Sequence, residues 1–237
     1  METQKLYIWY YRTILPNGVP NSDDIVLFDS YDPLKNKFYS TSEWRKVDFT
    51  PMDFPPKDVK YKFPDRLYLV FKKKMKAILF DYCEFGSNVK LVSNDFYKFM
   101  LDNGLDNGFE VADIDIVNKK NEALTNRKYY ALRFGDFDDE LFDFSDKTKQ
   151  RGKHTFGGSY VIFPDLKLQD YNSTKNIFVL KSPAYNNSII FKATVIERVF
   201  NDFYSPEIYK VSDFPAIYAN QYDEELLPLD NKYKVKM

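Results

Sequence analysis

Residues 136 to 146 carry six carboxylates, Asp136, Asp138, Asp139, Glu140, Asp143 and Asp146, the densest run of charge in the chain. Oxygen donors in such number suit calcium, or a basic protein partner drawn in by charge. The spacing lacks the glycine at the sixth position and the glutamate at the twelfth that an EF-hand loop needs, so no metal is expected there. His154 is the only histidine. Acid–base catalysis favours such a ring, but it lies in the basic stretch KQRGKHTFGG, with no carboxylate beside it in sequence to orient it. A single histidine also excludes a two-histidine zinc motif. Cys83 sits in the apolar run AILFDYCEF between Asp81 and Glu84, whose charge works against a reactive thiolate, and it reads as packing. Gly157-Gly158 follows basic residues, yet lacks the lysine of a phosphate loop and precedes a strand. The basic run from Lys147 to His154 is small, and a solvated loop explains it better than a nucleic-acid site.

No nucleophile with its base, no metal set and no nucleotide loop can be assembled from these residues. That favours a binding protein without cofactor or catalysis over an enzyme built around His154. The acidic residues Asp136, Asp138, Asp139, Glu140 and Asp143 are the candidate contact surface. A third reading is a carbohydrate-binding or other binding module, in which Trp9 and Trp44 would have to be exposed in a groove.

The elements that must position these groups are legible in part. The strongest stretch is residues 89–134. Ser93 stands at an N-cap position before Phe96, Phe99 and Met100, which fall on one helical face, and Asp95 places negative charge in the first turn. Asn103-Gly104 is a stop signal, and the spacing predicts a helix over 93–103. A turn at Asn107-Gly108 leads into an extended segment with Phe109, Val111, Ile114 and Ile116, whose alternation shifts near Ala112 as it would at a bulge. Tyr129 to Phe134 is a further strand. Upstream, Lys5–Arg12, Ile25–Phe28 and Leu67–Phe71 read as strands. The interval from Asp32 to Pro64 holds prolines at 33, 51, 55, 56 and 64 and is expected to be irregular. Trp44, Phe49, Phe54 and Tyr61 make that interval too apolar for a solvated linker. Downstream, Ser159–Phe163 and Ile177–Lys181 read as strands. Residues 190–201 have helical spacing despite their β-branched content, and a helix is expected there. The tail after Tyr204 offers one further strand.

The expected fold is α+β, with a mixed, mainly antiparallel sheet and a few short helices. It is expected to form one domain over residues 1–237, with 1–64 as a candidate smaller lobe. The chain has 237 residues and needs no covalent staple to bury a core. One cysteine allows no intramolecular disulfide and fits a reducing compartment. The start METQKLYIWYYR lacks a basic region followed by an apolar core, and no apolar run approaches membrane-spanning length. A cytoplasmic protein is therefore expected. Lysine and arginine number 34 against 35 aspartate and glutamate, which argues against a dedicated nucleic-acid binder. The 19 tyrosines and 22 phenylalanines favour strands and interface cores.

The order Leu91-Val92-Ser93, helix, Asn107-Gly108, Phe109-Glu110-Val111, then Lys128-Tyr129-Tyr130-Ala131-Leu132 resembles a known pattern. It is similar to a segment of α+β immunity proteins from bacterial polymorphic toxin systems, and it covers about a fifth of the chain. The resemblance implies a cytoplasmic protein that binds and neutralises one cognate toxin domain. It brings no catalytic residues with it.

Overall fold

The computed structural model describes residues 5–12, 15–47, 53–75, 77–86, 88–105, 108–145, 149–153, 159–182, 184–186 and 188–221. Phe49, Asn107, Asp146, His154 and Gly157-Gly158 lie outside them. In chain order the first strands are β1 (Leu6–Trp9), β2 (Ile25–Phe28), β3 (Ser30–Asp32), β4 (Lys37–Tyr39), β5 (Arg66–Phe71), β6 (Tyr82–Glu84) and β7 (Val89–Ser93). Helix α1 (Asn94–Asp102) and strands β8 (Phe109–Asn118) and β9 (Tyr129–Phe134) follow. The remainder comprises β10 (Phe142–Asp143), β11 (Gln150–Lys153), β12 (Ser159–Ile162), β13 (Lys167–Leu168), β14 (Ile177–Phe178) and β15 (Ile189–Lys192), then α2 (Ala193–Asp202), β16 (Ile208–Lys210) and α3 (Phe214–Ala219). The fold is α+β and dominated by sheet. No helix among the described residues is long and apolar enough to cross a membrane.

Two compact units form. One gathers residues 16–101 and 106–136, the other 1–15, 102–105 and 137–237. The first is built on a six-stranded sheet in the order β2-β5-β8-β9-β7-β6, in which only β5 and β8 run parallel. Side chains alternate across a strand, and cross-strand partners share a face. The pairings Leu67↔Ile114, Ala112↔Ala131 and Ala131↔Leu91 therefore lie on one face. Leu67, Leu91, Ala112, Ile114 and Ala131 are buried there. Arg133 shares that face. It is buried, donates to the carbonyls of Trp44 at 2.7 Å and Tyr61 at 2.9 Å, and pairs with Glu110. These bonds tie the proline-rich interval onto the sheet, where Trp44 and Phe63 meet edge to face at 5.2 Å. That interval is not wholly irregular, since β4 lies within it and pairs as a hairpin with β3, which ends at Asp32.

Helix α1 begins where the sequence predicts. The Ser93 hydroxyl accepts from the Phe96 amide at 3.2 Å and donates to the buried Asp81 carboxylate at 2.5 Å. Its end is set by Gly104, at φ +92°, a conformation an L side chain adopts only with strain. The predicted bulge near Ala112 is absent, because the β8–β9 register runs unbroken from Phe109↔Phe134 to Ile114↔Tyr129. Cys83 is buried in β6, and burial, helped by Glu84, pushes its thiol pKa up.

The second unit holds a four-stranded antiparallel sheet, β14-β15-β1-β16. Leu6, Ile8, Tyr10, Phe178, Ile190 and Tyr209 lie in its core with Phe214 and Ile217 of α3. The helix expected over 190–201 starts three residues late, at Ala193, because Ile189–Lys192 pair with β1. Lys192, at the N-cap position, makes no side-chain capping bond, so no local signal marks that switch. Helix α3, with Pro215 in its first turn, lies where a strand alone was expected. Buried Glu207 is held by Arg12 at 2.5 Å and by the Tyr209 hydroxyl. Trp9 and Trp44 are both buried, which removes the two rings a sugar-stacking groove would have needed.

Candidate functional site

The structure divides the acidic residues proposed from sequence. Asp138 pairs with Lys175 at 2.6 Å and accepts from the Val179 amide at 3.0 Å. Asp139 accepts from the amides of Lys181 at 2.7 Å and Ser182 at 3.1 Å. Both carboxylates are thus engaged in fixing residues 179–182, which reduces what they can offer a partner. Asp136, Glu140 and Asp143 are exposed. Asp143 also caps its own turn, accepting from the Ser145 amide at 2.8 Å.

A different constellation stands on the open face of the six-stranded sheet. The pairings Arg66↔Asp113 and Tyr68↔Asp115 in the parallel ladder, and Asp113↔Tyr130 in the antiparallel one, put these five side chains on one face. Ile114 and Ile116, the intervening residues of β8, are buried on the other. Two elements flank the polar row. The β3–β4 hairpin lays Phe38 against Tyr68 at 5.4 Å and against Phe28 at 5.9 Å. Helix α1 places Tyr97 over Tyr130 at 4.8 Å. Strands β5 and β8 and the connection from β8 to β9 line a cleft of about 640 Å³, with Arg66, Tyr68, Asp113, Asp115, Arg127 and Lys128 among its residues.

Its charges are paired in alternation. Arg66 bonds Asp115 at 2.5 Å, and that bond holds the guanidinium pKa above its ordinary value. Lys128 lies 3.3 Å from Asp113, with its ammonium 4.8 Å from the Tyr130 ring centroid. Tyr130, first, and Asp113 keep that ammonium more basic than usual. Arg127 reaches the buried Asp81, and so links the cleft to the cap of α1. Burial pushes the Tyr129 hydroxyl up to about 12, against the opposing pull of Arg127. Carboxylates, cations and aromatic rings in this order can recognise charged side chains. Among the described residues no group of three or more histidine, cysteine, aspartate and glutamate side chains is placed to hold a metal ion.

The profile of the family described as Immunity protein 43 matches residues 11–226. The chain belongs to that family. The match spans both units and contains every lining residue of the cleft as well as the acidic segment. Comparison with curated proteins returns no match.

Sequence reasoning did not find this cleft. Arg66 and Asp113 come from two strands and Lys128 from the residue just before a third, and only the register of those strands joins them. One signal was available: Asp113-Ile114-Asp115-Ile116 alternates strictly, and marks β8 as apolar on one face and acidic on the other.

Proposed function

We propose that this chain is an immunity protein of a bacterial polymorphic toxin system. It binds one cognate toxin domain and neutralises it by stoichiometric occlusion, with no catalysis of its own. The observation that carries this reading is the family match over residues 11–226. The burial of Trp9 and Trp44 supports it against a sugar-binding module. The cleft adds a surface of aromatic and arginine side chains, the types that anchor protein interfaces.

Co-expression tests it. Cells producing a toxin domain encoded beside this chain should grow when the chain is supplied, and the two proteins should co-purify. Failure to rescue or to form a complex with any neighbouring toxin would contradict the reading.

A further inference from the structure

We propose that the cleft over β8 is the toxin-docking site, and that it takes a basic side chain, an arginine or lysine at the tip of a protruding loop of the toxin domain. This rests on the immunity reading above. Three features of the cleft point to that occupant.

The first is its floor. Asp113 and Asp115 stand on the central strand, with Tyr68 on β5 beside Asp115 and Tyr130 on β9 beside Asp113. Carboxylates between aromatic faces are what a guanidinium or ammonium group seeks, because each cation gains an ion pair and a ring quadrupole together. The second is that the chain already seats cations of its own there. Lys128 sits on Tyr130 and Asp113, and Arg66 on Asp115. These pairs are open to water, with Lys128 and Asp113 each 57% exposed and Arg66 65% exposed. Exposed pairs of this kind are weakly held, so an incoming cation can displace them. The third is shape. A concavity of about 640 Å³ walled by β5, β8 and the β8–β9 connection fits a loop tip better than a flat surface.

The carboxylates are the recognition groups and Lys128 is a competitor, and these roles give opposite mutational signs. The probe is the catalytically inactivated toxin domain encoded beside this chain, titrated against the full-length protein. Asp113→Asn/Asp115→Asn should weaken binding on the order of a hundredfold, because the incoming cation loses both of its partners. Lys128→Ala should leave binding unchanged or tighten it. Asp136→Ala/Glu140→Ala/Asp143→Ala should bind like wild type. Thermal unfolding of each variant shows that it is folded, and Arg66→Ala, which also frees a carboxylate, serves as a second variant expected to bind at least as well as wild type. If Asp113→Asn/Asp115→Asn binds as wild type does, or if the loss appears only in the Asp136, Glu140 and Asp143 variant, the inference is overturned while immunity stands. A wild-type protein that neither binds nor protects overturns the immunity reading and this inference with it.

Discussion

Lys90 shows how far a single side chain is bent by its surroundings. It is fully buried in β7, on the face it shares with Leu132 and Glu84. Burial lowers its pKa from 10.5 to about 8, against the opposing pull of Glu84, whose own carboxyl burial raises. Between about pH 8 and 10.5 the unfolded chain therefore binds more protons at this site than the folded one, and the Lys90 contribution to stability rises with pH. Cys83 works the other way above about pH 9, since its buried thiol holds a proton that the unfolded chain gives up. The difference between wild type and Lys90→Met isolates the lysine. Urea midpoints of the two proteins should shift in favour of the wild type as pH rises through that window. A difference that is constant or moves against the wild type would mean that Lys90 is not held in the low-pKa state.

At the scale of elements, α1 is where the local chemistry of the chain and the observed fold agree best. Ser93 caps it and also supplies a donor to Asp81, which Arg127 reaches from the loop before β9. Ser93→Ala removes the cap and leaves a buried carboxylate with one donor fewer, and should cost about 2 kcal/mol. Ser93→Thr should recover most of that. Urea unfolding measures both, and equal midpoints for Ser93→Ala and wild type would remove Ser93 from its structural role. The cap, the apolar spacing and Gly104 are all local signals, which is why this helix was legible in the sequence. The switch at residue 192 was not, because Ile189–Lys192 are made a strand by pairing with β1, far away in sequence. The same limit hid the cleft. Asp113 and Asp115 look like ordinary solvated residues until β5 and β9 bring tyrosines and cations beside them.

At the scale of the whole molecule, the α+β class and most of the strands followed from composition and punctuation, since aromatic and β-branched runs between glycine and proline breaks leave few other options. The acidic segment looked like a surface because charge usually is one. Asp136, Glu140 and Asp143 are exposed as expected of one, while Asp138 and Asp139 bind backbone amides and hold residues 179–182 in place. Family membership over residues 11–226 is what motivates the proposed toxin partner, which no residue type could suggest. The central claim is stoichiometric neutralisation, and a titration tests it most directly. The activity of the neighbouring toxin domain, measured while this protein is added, should fall linearly and reach its floor at one equivalent. Inhibition by far less than one equivalent, or none at a large excess, would contradict it.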